Sequence, residues 1–553
     1  MSWSLQILFF VYATSGLVVA LAARRWRRQV PLISLNLGLI AGTALCQATL
    51  GTAAAATLGG GLLLMQMAWV RLGIMGINLC MRRQRYDLAA ALNLLLRPLL
   101  SPSRRAPTAM FTVYQRLEAG DVPGALRRLH EEGLHTPEGR YCRTLAYRLE
   151  GDSAGMCLWL ELGRMSGWTR EDPGYGVVFL SCEGEVHGIV RALARWRELA
   201  PEIRRDGGRH QLNRARLLLL AQAGDVDRLA ALAEVGAMEA LPPVEQALRL
   251  ATALQVAGAT ERAERFLATQ PPADVVAEYF LAQRRAQPLP PLQRPLAAAV
   301  EDSLTELYRE SWLAATYRGI GGRLQKAPAT AALLIVAAAL AGLSARMGGV
   351  TDSLTLHRLG ALEIIPDMRL PLGQRLLDSI QGQPWRLITA NLLHYGWPHL
   401  IANSIGLAIF GPFTERFLGT WRMAAVYAFA GVGAMASVVL AVNTGHLGTH
   451  AIVGASAALT GAVGAGLVIA ARGWHSHQSP EAARLLAWFA ALIALQGLLD
   501  AYTPQTSSTA HLAGLVLGAL VALLLHRVPE PPPIPGGYTP EPRESSPAPV
   551  DGA

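Results

Sequence analysis

The feature that most constrains this chain is a set of apolar stretches that are long enough to cross a lipid bilayer. About 20 apolar residues are needed to span roughly 30 Å of hydrocarbon. Such stretches form an N-terminal group of three and a C-terminal group of six. They lie near residues 4–22, 31–50, 52–70, 328–346, 397–417, 421–442, 453–471, 482–500 and 508–526. The pattern predicts an all-α, polytopic membrane protein with nine spans.

The composition agrees with this prediction and excludes several classes of protein. Hydrophobic residues make up 52% of the 553 residues and charged residues 16%, against about 25% charged in ordinary globular chains. The five cysteines have no C-x-x-C spacing, which argues against a disulfide framework or a zinc ribbon. No glycine-rich loop matches a phosphate-binding or dinucleotide-binding pattern. We therefore expect neither a cofactor nor a metal.

The basic residues indicate how the chain is oriented in the membrane. The formal net charge is +9, and Lys326 is the single lysine. Arginines cluster beside the apolar stretches, as at 24–28 and 82–85, whereas the loops 443–452 and 501–507 have no Lys or Arg. Basic loops favour the cytoplasmic side, which predicts an outer N-terminus with the polar middle region and the C-terminus inside. This explanation of the charge is favoured over nucleic-acid binding, which we do not expect.

The middle region, residues 86–325, is rich in charge and has helical periodicity. A small motif recurs at expected helix junctions, where a glycine is followed in most cases by an acidic residue. These glycines lie 31 to 40 residues apart, at Gly120, Gly151, Gly184, Gly224 and Gly258. Gly can end one helix and an acidic residue can cap the next. A period near 34 resembles tetratricopeptide-type (TPR-like) hairpins, which stack with a concave binding face; the alternative is an irregular helical domain.

These observations divide the chain into four regions. Residues 1–85 form an N-terminal membrane region, 86–325 a helical-repeat domain, and 326–528 a six-helix membrane core. The last segment, 529–553, is rich in proline with Ser, Gly and Glu. Such a composition cannot bury enough apolar surface to fold, which predicts a disordered tail.

Polar residues within the core spans are costly and are therefore functional candidates. His399 and Asn403 lie four residues apart and share one helix face. Ser456 begins another span and His511 begins a third. In the predicted topology these three helix ends lie at one depth on the outer side.

This set of side chains is suited to acyl transfer. Serine needs a base to become a nucleophile, and histidine serves near neutral pH. Asn403, His399 and the backbone N–H of Ser456 are donors for an oxyanion. The segments around these residues contain no Asp or Glu that would orient His511, and the single aspartate within the core spans, Asp500 at a helix end, is too few for an aspartyl protease. The sequence thus predicts a Ser-His dyad.

The same motifs resemble the rhomboid intramembrane serine proteases. They are His394-x4-His399-x3-Asn403, Gly454-x-Ser456, and Ala510-His511 followed by Gly514 and Gly518, in this order. Trp385-Arg386 and the segment 415–419 also match the family's pattern. The resemblance covers about 200 residues of the core and excludes residues 1–325.

The resemblance implies specific roles for these residues. Ser456 would be the nucleophile and His511 the general base, while His399 and Asn403 would stabilise the oxyanion. Gly454, His394 and Gly514 would support the site. The chain departs from the family at Ala457, where the family has glycine, and at Thr460, where it often has a tyrosine that stacks on the histidine. Ala457 is acceptable if its backbone is helical and strained if its φ is positive.

The resemblance implies hydrolysis of a peptide bond in or near a transmembrane helix of a substrate protein. A pseudoprotease that binds membrane clients without cleaving them is the first alternative, and a transporter is the second. The helical-repeat domain would recruit a protein partner, support oligomerisation or regulate the core. The abundance of Ala and Arg with almost no Lys favours the plasma membrane of a bacterium.

Overall fold

The fold is a computed structural model that describes residues 15, 26–96, 108–132, 136–168, 173–205, 209–271, 274–293, 295–319, 324–448, 450–502 and 507–532. The predicted span 4–22, apart from Ser15, and most of the predicted tail lie outside these residues. These described residues are 78% helical. They divide into two units, with the boundary between Ala315 and Thr316.

The first unit begins with apolar helices. Helix α1 is Trp26–Leu50, α2 is Thr52–Arg82 and α3 is Tyr86–Leu96. Helix α2 extends beyond the predicted span 52–70, through Arg71 to Arg82. Its 31 residues exceed the length that a bilayer requires. Helices α1 and α2 pack on each other through small residues such as Ala55 and Ala56.

Antiparallel helix pairs follow. Their bounds are α4 Thr108–Glu118, α5 Val122–His130, α6 Pro137–Glu150, α7 Ser153–Met165, α8 Pro173–His187, α9 Ile189–Arg205, α10 Arg209–Gln222, α11 Val226–Glu234, α12 Pro243–Val256, α13 Thr260–Ala268, α14 Val275–Ala286 and α15 Ala298–Thr316. Left-handed glycines separate the members of five pairs, and they are Gly120, Gly151, Gly188, Gly224 and Gly258. In three pairs an aspartate then caps the second helix through its carboxylate, as Asp121 does for the N–H of Gly124 at 2.8 Å.

One of the predicted junctions was wrong. Helix α8 continues through Gly184 to His187, and the turn is made by Gly188 with a φ of 80°. A Cβ at Gly184 would lie 2.1 Å from the side-chain oxygen of Gln222, so this glycine allows close helix packing. With Gly188 in its place, the glycine spacing narrows to 31–37 residues.

Helix α14 covers the surface formed by the first helices of these pairs. The hydroxyl of Tyr279 donates to the carbonyl of Leu149 in α6 at 2.9 Å. Arg284 pairs with Glu185 in α8 at 2.7 Å, and Leu281 packs among buried residues of α12. A later segment of the same chain thus packs against α6, α8 and α12.

The second unit holds the membrane core. Its helices are α16 Pro328–Met347, α17 Ser353–Leu359, α18 Leu372–Asp378, α19 Arg386–Thr389, α20 Trp397–Leu418, α21 Thr420–Asn443, α22 Ser456–His477, α23 Pro480–Tyr502 and α24 Ser508–Leu525. A short 3-10 turn, Leu324–Lys326, precedes them. Among the described residues of the whole chain, six helices are long and apolar enough to cross a membrane, and five of these are α16, α21, α22, α23 and α24.

Helix α20 is also 22 residues long, but it is less apolar because it carries His399, Asn403, Glu415 and Arg416. It still corresponds to the predicted span 397–417. Glu415 is buried and accepts hydrogen bonds from the backbone N–H groups of Ala329 and Thr330, both at 2.9 Å. Helix α20 thus satisfies the first turn of α16, where backbone donors have no partner within their own helix.

The all-α prediction needs one correction. Strands β1, Leu362–Ile364, and β2, His450–Ile452, form a two-stranded antiparallel sheet in which Leu362 pairs with Ile452. The sheet ties the long segment before α20 to the residues immediately before α22. Strands of three residues are too short to show an alternating pattern in the sequence.

Candidate functional site

Ser456 is the first residue of helix α22 and lies four positions after the end of strand β2. Gly454 has a φ of 138°, and its N–H donates to the carbonyl of Ala390 at 2.8 Å. A Cβ at this position would also lie 2.6 Å from Cε1 of His399. Gly454 therefore serves both the backbone conformation and the close approach of the His399 ring to the start of α22.

His511 lies in the first turn of helix α24, which Ser507 caps by accepting from the N–H of Ala510. The residue is buried, with 8% of its surface exposed. Its Nε2 lies 2.9 Å from Oγ of Ser456. A hydroxyl and an imidazole at hydrogen-bond distance are the geometry that an activated serine requires.

Glycines allow helices α22 and α24 to approach this closely. A Cβ at Gly514 would lie 2.1 Å from the carbonyl oxygen of Ala457, and one at Gly518 would lie 2.1 Å from the carbonyl oxygen of Gly461. The backbones of the two helices are thus in direct contact over one turn after Ser456. Small residues at such contacts are typical of membrane helix pairs.

Asn403 and His399 belong to helix α20, which packs on the same end of α22. Gly406, three positions after Asn403, contacts Leu459, which lies three positions after Ser456. Asn403 is 7% exposed, and within the described part of the chain its Nδ2 has no hydrogen-bond partner. A buried amide donor without a partner is costly, unless a ligand accepts from it.

His394 is buried just before helix α20, with its ring edge-on to that of His399 at a centroid distance of 5.3 Å. The structure therefore brings together all seven residues that the sequence analysis selected. They are Ser456, His511, His399, Asn403, Gly454, His394 and Gly514.

The sequence analysis missed Asp500, in the last turn of helix α23. Its Oδ2 lies 2.8 Å and its Oδ1 3.0 Å from Nδ1 of His511. The Nε2 of Gln496, one turn earlier, donates to Oδ1 at 2.8 Å. The expectation that no acidic residue orients His511 was wrong. A signal was present, since Gln496 and Asp500 are two polar residues at i and i+4 in an otherwise apolar helix.

The two departures from the family pattern have simple structural consequences. Ala457 is in helical conformation as the second residue of α22 and is buried, so its methyl group causes no backbone strain. The hydroxyl of Thr460 donates to the carbonyl of Ala457 at 2.8 Å and is thus bonded within its own helix.

Arg386 of the Trp-Arg motif holds the segment between α16 and α20 together. Its Nη1 donates to the carbonyls of His357 and Ala361, both at 2.7 Å, and its Nε donates to Gln383. The guanidinium also lies over the ring of Trp385 at 4.7 Å. The motif is therefore structural and does not contact Ser456 or His511 in the described bonds.

Away from this site, one group of side chains in the described residues has ligand atoms close enough to share a metal. Cys157, Glu183 and His187 place these atoms within 4.8 Å of one another. The Glu183 carboxylate already pairs with Arg195 at 3.2 Å and with Arg191 at 3.6 Å. Two guanidinium groups thus compete with any cation for this carboxylate.

Comparison with known proteins identifies the family of the membrane core. A family model described as "Rhomboid domain" matches residues 381–528. The chain is 32% identical over 155 residues to a protein of Bacillus subtilis (strain 168) named "Putative rhomboid protease YdcA". The match covers 70% of that protein and 27% of this chain. The chain belongs to the rhomboid family.

Other rhomboid relatives also match part of the chain. RHOMBOID-like protein 5 of Arabidopsis thaliana is 32% identical over 189 residues, which cover 55% of that protein and 33% of this chain. Rhomboid protease GluP of Bacillus subtilis (strain 168) is 34% identical over 126 residues, 21% of that protein and 22% of this chain. The chain spans about half the length of the plant rhomboid relatives that it matches.

Proposed function

We propose that this rhomboid protein is an intramembrane serine endopeptidase that cleaves a peptide bond in or near a transmembrane helix of a membrane-protein substrate. The observation that carries the proposal is the 2.9 Å contact between Nε2 of His511 and Oγ of Ser456. Relatives described as rhomboid proteases support the same reaction class.

In the proposed reaction, Oγ of Ser456 attacks the carbonyl carbon of the substrate while its proton passes to Nε2 of His511. The carbonyl oxygen becomes an oxyanion, which would accept from Asn403, His399 and the backbone N–H of Ser456. When the intermediate collapses, the C–N bond breaks and the leaving amine takes the proton from His511. Water then attacks the acyl-enzyme with His511 again as the base, which releases the acid and restores Ser456.

The substrate class follows from where Ser456 lies. It begins a helix of membrane length, so a scissile bond must reach that depth in extended form. We propose a single-pass substrate with a helix-destabilised segment near the outer face and a small residue at the cleaved bond. Water would enter from the same face.

The roles of the remaining regions rest on the helical pairs and on the distribution of charge. The helical pairs with left-handed glycines at 31–37-residue spacing support a TPR-like module that recognises a protein partner, drives oligomerisation or regulates cleavage. The arginine distribution supports an outer N-terminus and an inner helical domain and C-terminus. Rhomboid relatives occur in plants as well as bacteria. The proposed location in the plasma membrane of a bacterium therefore rests on the amino-acid composition.

The test is cleavage of a tagged model transmembrane substrate in liposomes by the wild type, Ser456→Ala and His511→Ala. We expect both substitutions to abolish cleavage while the proteins keep their thermal unfolding temperature. A folded wild type that binds several such substrates and cleaves none would reject the protease and favour a client-binding pseudoprotease.

A further inference from the structure

Asp500 is a buried carboxylate whose contacts point at the proposed active site. Its side chain is 6% exposed, and its hydrogen-bond partners among the described residues are Gln496 and His511. We infer that Asp500 is a positioning residue that extends the Ser456–His511 pair to a triad. The inference rests on the proposed protease function.

A general base must have no proton on the nitrogen that faces the serine, which in His511 is Nε2. Neutral imidazole has one N–H, and the other nitrogen is the acceptor. The two carboxylate oxygens of Asp500, at 2.8 and 3.0 Å, can accept only from an N–H. They lie closer to Nδ1 than the amide nitrogen of Gln496 does, at 3.3 Å, so they keep the proton on Nδ1. Nε2 is then the acceptor that faces Oγ of Ser456, as a general base requires.

The negative charge of Asp500 also favours proton transfer to His511. When His511 takes the serine proton, a cation forms at a site with little exposure to water. An anion in direct contact with Nδ1 stabilises that cation where the medium screens little. A neutral dyad would have no such partner.

The carboxylate of Asp500 also has a fixed orientation. Gln496 Nε2 donates to Oδ1 of Asp500 at 2.8 Å from one turn earlier on α23. Three different helices thus supply Ser456, His511 and Asp500. Gln496 holds the carboxylate of Asp500 in place. The hydroxyl of Thr460 donates to the carbonyl of Ala457, and no hydrogen bond from Thr460 to His511 occurs among the described residues.

This arrangement makes Asp500→Asn an informative change. Gln496 would hold the new amide oxygen, so the amide nitrogen would face Nδ1 of His511 and donate to it. Nδ1 would then become the acceptor and the proton would sit on Nε2, where it blocks transfer from Ser456. Adding Gln496→Glu returns the proton of His511 to Nδ1, because a carboxylate at 496 accepts from the amide nitrogen of the new Asn or directly from His511.

The experiment compares kcat and KM for a transmembrane substrate in liposomes, together with the rate at which a fluorophosphonate labels Ser456. The proteins are the wild type, Asp500→Asn, Asp500→Asn with Gln496→Glu, and the control Gly497→Ala. Gly497 lies on the same helix as Asp500, and a Cβ at this position would meet nothing within 4 Å. We expect Asp500→Asn to lower kcat by roughly 100-fold or more, in line with the loss of the orienting carboxylate in serine proteases, with KM changed by less than about twofold.

The double variant should recover at least about tenfold of the lost kcat and labelling rate. A kcat for Asp500→Asn within about threefold of the wild type would overturn the inference, and so would a loss that Gln496→Glu does not rescue. A wild type that neither cleaves nor is labelled at Ser456 would instead reject the proposed function itself, independently of Asp500.

Discussion

Gly514 lies against the backbone of Ala457, so that a Cβ at position 514 would stand 2.1 Å from the Ala457 carbonyl oxygen. Ala457 is one position after Ser456, and Gly514 is three positions after His511. The distance between Ser456 and His511 therefore depends on a contact that leaves no space for a side chain. The Ser456–His511 contact and the packing of α22 on α24 depend on the same glycine.

Replacing Gly514 with alanine should separate helices α22 and α24 and lengthen the Ser456–His511 contact. A displacement near 1 Å can cost about 10²-fold in rate, so we expect a fall of that order in kcat. Cleavage assays in liposomes would measure it, with Gly497→Ala as the matched control because that position has free space. Equal activity of the two variants would show that the contact does not set the geometry.

Asn403 should contribute to the transition state and little to substrate binding. Its Nδ2 is buried without a partner in the described residues, which suits a donor that waits for an oxyanion. Removal of one such donor costs about 10²–10³ in kcat, and we expect this for Asn403→Ala with KM nearly constant.

Asn403→Asp provides the control for size, since it keeps the shape and replaces the amide donor with a carboxylate. It should be at least as inactive as Asn403→Ala. A rise in KM with unchanged kcat for either variant would assign Asn403 to substrate binding instead.

Sequence reasoning found the parts of the site that lie in short motifs. Ser456, His511 and Asn403 each have neighbours at fixed spacing, so each could be placed at a helix start before the fold was known. Asp500 could not be found this way. It lies eleven positions before His511 on another helix, and the contact depends on how α23 packs beside α24.

The repeat region shows a similar limit. Gly184 and Gly188 lie four residues apart, and the acidic neighbours of Gly184 favoured it as the junction. The choice between them depends on packing, because Gln222 of another helix leaves no space for a Cβ at Gly184. That information is absent from the local sequence.

Glu415 should be a major source of stability in the membrane core. It is 3% exposed and accepts from the N–H of Ala329 and from both the N–H and the hydroxyl of Thr330. Hydrogen bonds to charged groups contribute about 1.5–3 kcal/mol, so Glu415→Ala should lower the free energy of unfolding by at least about 2 kcal/mol.

Thr330→Val is the graded comparison, because it removes the hydroxyl bond and leaves both backbone donors satisfied. We expect it to cost about 1 kcal/mol. Unfolding in detergent would measure both variants. Equal costs would mean that the hydroxyl accounts for the whole effect and that the two backbone bonds contribute nothing.

Glu245 of the helical domain should make stability depend on acidic pH. Arg214 contacts it through two bonds of 2.7 and 3.1 Å, and Arg249 through one of 3.0 Å. Burial raises the pKa of Glu245, but Arg249 and Arg214 outweigh burial and hold the net pKa below its ordinary value. The lowered pKa means that the folded state prefers the carboxylate.

The stabilisation from this cluster is therefore fully present above the unfolded pKa of glutamate, about 4.3, and is lost as the pH falls toward the folded pKa. Glu245→Gln should cost about 3 kcal/mol near neutral pH, since it leaves guanidinium groups unpaired. Hydrogen-exchange protection of helices α10 and α12 in the full chain would measure this. The difference in protection between wild type and variant should shrink below about pH 4.5, whereas a difference that is constant from pH 7 to pH 3 would show that the charge of Glu245 is not what stabilises the cluster.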